Sequence, residues 1–279
     1  MITVTDAGPL TTIQDRGRLG QAHLGVPRAG ALDAPAADLA NRLVGNAEQC
    51  AVLETTLGGL RFVTDVALTL AVTGAPCPVL VDGRARAFGE PVTVRAGSDV
   101  TVGAATAGIR SYLAVAGGVD VAPVLGSRST DTLAWVGPPA LCRGRQLAVG
   151  RIGSDRPWSD TPCLTIRAPV LRVHPGPRTD WFADALVALT RSPYAVTHDS
   201  NRIGLRLSGP AIDRVRPGEL PSEGIVLGAV QVPPDGQPLV FLHDHPVTGG
   251  YPVIAVVDPR DLPVCAQARP GDRIDFSLA

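Results

Sequence analysis

Residues 57–72 read LGGLRFVTDVALTLAV, and their pattern decides the fold class. Leu57-Gly58 is turn punctuation, after which Leu60–Val63 and Val66–Val72 run as two short stretches rich in alternating β-formers. A period of two sends one set of side chains into a core and the other away from it. The same signature returns at Ile2–Val4, Val79–Val81, Val92–Val94, Leu239–Leu242 and Val253–Val257. Gly 31 and Pro 26 make up about a fifth of the 279 residues, which predicts many short strands and turns rather than long helices.

Two segments break this pattern. Asp33 is an N-cap residue followed by Pro35, with Ala36, Leu39, Ala40 and Leu43 at helical spacing and Gly45 as the stop. Thr179 to Arg191 puts Trp181, Phe182, Ala185, Leu186 and Leu189 on one stripe and predicts a second helix. The chain also repeats itself. An apolar residue ahead of Gly8-Pro9 recurs ahead of Gly176-Pro177, Leu57-Gly58 recurs as Leu227-Gly228, and Gly97-Ser98-Asp99 recurs as Gly271-Asp272, at offsets of 168, 170 and 174. Constant order with slowly drifting offsets is the mark of an internal duplication. Two small barrel-like β units follow, since closure removes exposed strand edges. The expected domains are 1–157, carrying an inserted segment at about 104–157, and 163–279, with Gly153 to Pro162 as linker.

Composition excludes several chemistries. All 25 basic residues are arginine, so a Walker-type phosphate loop, a Schiff-base lysine and a covalently attached biotin are ruled out. A formal charge of −1 gives no field toward nucleic acid. The start MITVTDAGPL lacks a basic leader and no apolar run reaches membrane-spanning length. Five scattered cysteines without a C-x-x-C predict reduced thiols and a cytoplasmic protein.

The candidate site residues are polar side chains in apolar or glycine-rich settings. Gln14-Asp15-Arg16 ahead of Gly17 offers an amide, a carboxylate and a guanidinium fork for a planar or anionic ligand; the plainer alternative is a turn closed by Asp15 and Arg16. Ser127-Arg128-Ser129-Thr130 after Gly126 can form an anion-binding nest, or a solvated turn. Glu54, flanked by Val52, Leu53 and Leu57, is expected to pair with an arginine rather than to move a proton. Arg202 and Arg206 would share a face if SNRIGLRLSGP (200–210) is a strand. Gln231 between two valines needs a partner or a ligand, and Tyr251 after Gly249-Gly250 offers a hydroxyl. His243-Asp244-His245 resembles a metal pair but lacks an obvious third ligand, so no metal site is expected.

At these residues the chain resembles the biotin-dependent carboxyltransferase subdomain A/B family, whose members are also called allophanate hydrolase subunit 2 or the C-type component of 5-oxoprolinase. The resemblance rests on TTIQDRGRLGQAHLGVPRAGALD with ANRLVGN, LETTLGG, YLAVAGGVDVAPVLGSRST, SNRIGLRLSGP, ELPSEGIVLGAVQVPPDGQPLVFLHD, TGGYPVIAVV and DLPVCAQARPGD, in family order from about residue 8 to 276. Asn201 (often Asp), Val247 (often Thr) and Arg28 (often Ser) depart from the pattern and bear on fine substrate specificity.

The resemblance implies a mainly β protein of two cyclophilin-like barrel units with a few short helices. It implies a component of an ATP-dependent 5-oxoprolinase that opens 5-oxo-L-proline to L-glutamate with homologues of the A-type and B-type components of that enzyme. ATP and magnesium would be supplied to the complex. Within that reading Glu223, Asp244 and Arg202 are the catalytic candidates. Gln14, Asp15, Arg16, Gln231, Thr248 and Tyr251 would hold substrate, and Ser127, Arg128, Ser129 and Thr130 would hold phosphoryl charge. The alternatives are carboxyl transfer from carrier-borne carboxybiotin to urea or a related amide, and a non-catalytic regulatory partner of the B-type homologue.

Overall fold

The computed structural model describes residues 1–153, 157 and 169–279. They fall into two compact units. Unit 1 takes Met1–Arg18, Ala29–Asp131 and the described residues from Trp135 as far as 157; unit 2 takes Leu19–Arg28, Thr132–Ala134 and 169–279. Most of the predicted linker from Gly153 to Pro162, and the boundary at 163, lie outside the described residues.

In unit 1 the strands are β1 (Ile2–Ala7), β2 (Leu10–Gln14), β3 (Val52–Thr56), β4 (Leu60–Thr64), β5 (Leu68–Gly74) and β6 (Val79–Val81), followed by β7 (Arg84–Arg86), β8 (Val92–Val94), β9 (Asp99–Val102), β10 (Arg110–Val115), β11 (Val119–Asp120) and β12 (Gln146–Val149). They sort into a seven-stranded sheet, β11-β12-β1-β4-β9-β6-β7, and a five-stranded sheet, β2-β3-β10-β5-β8. The alternation in the opening stretch is what brings the two sheets together. Leu60 and Phe62 from one sheet, and Leu68, Leu70 and Val72 from the other, enter a single core. Ala71, between Leu70 and Val72, faces the other way with Val52, Tyr112 and Ala114, and that second face is covered by α1 (Ala34–Leu43). Small residues at Ala36, Ala37 and Ala40 let this helix lie close to the sheet. Asp33 caps it as expected, its carboxylate accepting from Ala36 N at 3.2 Å.

The segment 104–157, expected as inserted material, contributes to the body of unit 1. Strand β10 within that segment is the middle strand of the five-stranded sheet, buried along its whole length. It pairs with both β3 and β5. Its run Tyr112-Leu-Ala-Val115 is apolar on both faces because one face meets the sheet-to-sheet core and the other meets α1.

Unit 2 contains β13 (Val170–Pro175), β14 (Tyr194–Val196), β15 (Gly204–Ser208), β16 (Glu223–Gly224), β17 (Ala229–Gln231), β18 (Leu239–Phe241), β19 (Thr248–Gly249), β20 (Val253–Val257) and β21 (Arg273–Leu278). Seven of them close a barrel in the order β13-β20-β17-β18-β15-β14-β21, and β16 pairs with β19 as a separate ribbon. The helix expected over 179–191 is split: Thr179–Trp181 is a 3₁₀ turn, Phe182 is extended, and α2 covers only Ala185–Arg191. Phe182 instead bridges to Arg214, and Arg214 stacks over Trp181 at 4.5 Å. A short α3 (Leu262–Gln267), carrying Pro263 in its first turn, has no counterpart among the sequence expectations.

The repeat matches fall on like places in the two units. Gly8-Pro9 follows β1 and Gly176-Pro177 follows β13; Gly58 and Gly228 both have positive φ (89° and 82°); Gly97 and Gly271 both lead into a strand with positive φ (84° and 90°).

Candidate functional site

Within unit 1 the predicted polar knot and the predicted anion nest are one structure. Asp15, at the end of β2, sits in the turn Ser127–Ser129. Its Oδ1 accepts from the Ser127 and Ser129 hydroxyls, each at 2.6 Å, and from Gly17 N at 2.8 Å; its Oδ2 accepts from Arg128 N at 2.6 Å. The nest forms, and the anion in it is the chain's own carboxylate. Burial alone would raise the Asp15 carboxyl, but the hydroxyl and N–H donors outweigh it and hold the group below the usual carboxylate range. Gln14 is fully buried and spent on the same turn: its Nε2 donates to Thr12 Oγ1 and to Thr130 O, both at 2.9 Å, and its Oε1 accepts from Gly30 N at 3.1 Å. Arg16 does not pair with Asp15. It is exposed and reaches Asp38 at 2.8 Å and also Glu48. Thr130 N donates to Ile13 O at 2.8 Å, so this turn is stitched to β2 by backbone as well.

Glu54 lies in the middle of β3 between Thr12 and Tyr112 on the flanking strands. Its partner is Arg110 at 3.6 Å, as the apolar flanks predicted, and Leu32 N donates to it at 3.0 Å. The Tyr112 hydroxyl accepts from Asp33 N at 2.8 Å. Complete burial, with Glu54 and Asp33 adding to it, pushes that phenol well above its ordinary range.

Unit 2 has a different centre. Arg202 precedes β15 and is buried, whereas Arg206 within the strand is exposed, so the two do not share a face. Arg202 forks onto Asp244, Nε to Oδ2 at 2.9 Å and Nη2 to Oδ1 at 3.0 Å, with both side chains out of solvent. Thr132 completes the carboxylate, donating from its N at 2.9 Å and its hydroxyl at 2.7 Å. His243 and His245 flank this pair and are both buried. His245 Nδ1 donates to the Pro246 carbonyl at 2.7 Å, and burial pushes the imidazole below its ordinary range. Gln231 at the end of β17 donates to Tyr251 O at 2.7 Å, fixing the Gly249-Gly250-Tyr251 turn. Glu223 in β16 pairs with Arg178, and β16 lies against Thr248-Gly249. Thr248 and Tyr251 present exposed side chains.

The candidates therefore gather in two places. Gln14, Asp15, Ser127, Arg128, Ser129 and Thr130 form one cluster in unit 1, with Arg16 pointing outward. In unit 2, Arg202 and Asp244 form a buried pair, while Glu223, Gln231, Thr248 and Tyr251 surround the β16–β19 ribbon. Arg110, Thr132 and Arg178 were not foreseen, because their carboxylate partners lie 45 to 112 residues away along the chain. Among the described residues, no group of three or more His, Cys, Asp or Glu could hold a metal ion. Among them also, no helix is long and apolar enough to cross a membrane.

A mainly β, two-unit chain with these paired polar centres defines a class that the comparisons with known proteins identify. Residues 24–278 match the family described as carboxyltransferase domain, subdomain A and B, and the chain belongs to that family. It is 39% identical over 280 residues to the C-type component of the 5-oxoprolinase of Escherichia coli, covering 99% of this chain and 90% of that protein. It is also 33% identical to the urea amidolyase of Saccharomyces cerevisiae, where it matches 16% of the longer protein. The crystal structure of TTHA0988 superposes with a TM-score of 0.90 at 39% identity, covering 99% of this chain and 55% of that one. The chain thus spans little more than half of that solved relative.

Proposed function

We propose that the chain is the C-type component of an ATP-dependent 5-oxoprolinase, acting with A-type and B-type partners in the cytoplasm. The observation that carries this reading is the match to a C-type 5-oxoprolinase component along nearly the whole of both proteins. The urea enzymes match just as completely on this side but contain the chain as a minor part.

The reaction explains why polar, lysine-free surfaces suffice. A five-membered lactam is stabilised by resonance, so water attacks only after activation. The lactam oxygen attacks the γ-phosphorus of ATP and the bond to ADP breaks. Water then adds at the phosphorylated carbon, the ring C–N bond breaks as the nitrogen takes up a proton to leave an acyl phosphate, and a second water cleaves that acyl phosphate to glutamate and phosphate. This chain's share is to bind and orient. The Arg202–Asp244 pair positions the 243–245 turn, the Gln231 amide positions the Tyr251 turn, and the exposed Thr248 and Tyr251 hydroxyls meet the amide-like substrate. The two carboxylates of the candidate site do not suit magnesium: Glu223 is engaged by Arg178 and Asp244 by Arg202 and Thr132.

The test is co-expression with the A-type and B-type partners, followed by measurement of phosphate release dependent on 5-oxoproline. A verified assembly that releases none would sink the proposal. The second reading, carboxyl transfer from carboxybiotin to urea or a related amide, draws on the family match and the urea amidolyase relative. With no lysine in the chain, that biotin must arrive on another protein.

A further inference from the structure

Unit 1 holds a cavity of about 270 Å³ that no residue of the foregoing site explains apart from Arg128. It is walled by Gln49 and Cys50 ahead of β3, Gly118 and Asp120 around the start of β11, Arg128, and Arg151 after β12. Gly118 is there because the wall must come in close: a Cβ at this position would sit 3.2 Å from the Cys50 Cβ.

Arg128 is split between two tasks. Its backbone N–H belongs to the Asp15 nest, while its Nε donates to the Val121 carbonyl at 2.8 Å. Among the described residues the guanidinium has no other acceptor; it is held by that single bond, and Arg128 lines the hollow. Arg151 is exposed on the same wall, and Asp120 is the only carboxylate lining it among the described residues, so the cavity carries an excess of one positive charge. The Arg128 field reaches Cys50: burial keeps that thiol above its ordinary range, with the Ala47 backbone contact and then the guanidinium opposing it in part.

We propose that this hollow is a binding site for a small carboxylate, taken by the Arg128 guanidinium with Arg151 at the mouth. A planar fork fixed at one nitrogen matches the two oxygens of a carboxylate. A nucleotide polyphosphate is a poor fit. The backbone N–H nest that would cradle it is already filled by Asp15, and the lining supplies only two cations against one anion. The volume lies at the small end of ligand sites and suits a metabolite of a few heavy atoms. The inference goes beyond the proposed function, which enters only in making 5-oxoproline and glutamate the first carboxylates to try.

Cys50 on the cavity wall serves as the reporter, read by peptide mass spectrometry on the full chain after brief alkylation. Exposed Cys142 is the internal control. The ratio of iodoacetate to iodoacetamide reaction at Cys50 should fall roughly threefold or more in Arg128→Gln, with the ratio at Cys142 unchanged. The Asp15 nest survives that substitution because it uses the backbone N–H; a thermal melt verifies the fold, and Arg151→Gln, at an exposed position, gives a smaller drop in the same direction. Millimolar 5-oxoproline or glutamate should slow labelling of Cys50 but not of Cys142. An unchanged ratio in both variants, no protection by either carboxylate, or protection by inorganic phosphate alone would each overturn the proposal. None of these readings depends on turnover, so a chain that binds carboxylate in an assembly that never opens 5-oxoproline would defeat the function above and leave this site standing.

Discussion

Asp15 is where residue chemistry and local sequence part company. Its neighbour Arg16 is the obvious partner, yet the carboxylate turns to donors 112 to 114 residues away. Two hydroxyls and two N–H groups satisfy it more completely than one exposed guanidinium would. Asp15→Asn puts an NH₂ where donors converge and should cost about 2 kcal/mol of stability at pH 7, read from urea unfolding. The sign with pH follows from the depressed carboxyl. The stabilisation is fully present above the unfolded-state value of about 4 and is lost as pH falls through the lower folded-state value. The gap between native and Asn proteins should therefore narrow in acid; a gap that widens would contradict the hydrogen-bonded carboxylate. The Arg202–Asp244 pair poses the opposite case, a charge pair with no solvent at all. Arg202→Met strands the carboxylate and should cost about 3–5 kcal/mol, whereas Arg202→Met combined with Asp244→Leu should recover much of the loss. A double variant as unstable as the single one would show that Thr132, not the ion pair, governs this centre.

At the scale of elements, most strands were legible because burial alternates with the pleat. Leu60 and Phe62 enter the core while Arg61 stays out. Helix α1 was equally legible, its cap and stop being local signals. What failed to show were elements whose reason lies elsewhere in the chain. Strand β10 is buried throughout, and its apolar run from Tyr112 to Val115 makes sense only once α1 and the opposite sheet claim its two faces. The broken helix at 179–191 has a continuous apolar stripe, and only the Phe182–Arg214 bridge accounts for its interruption. The turn between β3 and β4 gives a sharp test of element packing. Gly58 has φ +89°, and a Cβ there would lie 1.9 Å from the Gly103 carbonyl oxygen; Gly97 has φ +84° and open space around it. Gly97→Ala should cost about 1 kcal/mol of backbone strain. Gly58→Ala adds a backbone collision and should cost more than about 3 kcal/mol or prevent folding, compared by thermal melts of the two variants. Equal costs would mean that the turn can move aside.

Over the molecule as a whole, the sequence put a set of polar residues on view but could not say which are spent inside the fold. Gln14, Asp15, Arg202, Asp244 and Gln231 all stand out in the sequence as candidate polar side chains, and each is committed to protein partners. Tyr251 stood out as well, yet the residue is 46% exposed and, among the described residues, only its carbonyl is hydrogen-bonded. The chain's residues should therefore separate into two groups in any scan. Gln14→Ala removes the buried hydrogen bonds to Thr12 Oγ1, Thr130 O and Gly30 N and should lower the unfolding free energy by about 2–3 kcal/mol. Tyr251→Phe removes one exposed hydroxyl and should move it by no more than about 0.5 kcal/mol. In the assembly proposed above, the order should reverse for catalysis at matched folded concentration. Loss of a substrate contact worth about 1 kcal/mol should reduce kcat/KM for 5-oxoproline roughly fivefold in Tyr251→Phe, while the folded fraction of Gln14→Ala keeps most of its turnover. A Tyr251→Phe enzyme with unaltered kcat/KM would remove that hydroxyl from the substrate surface and leave Thr248 as the side chain of the ribbon to examine.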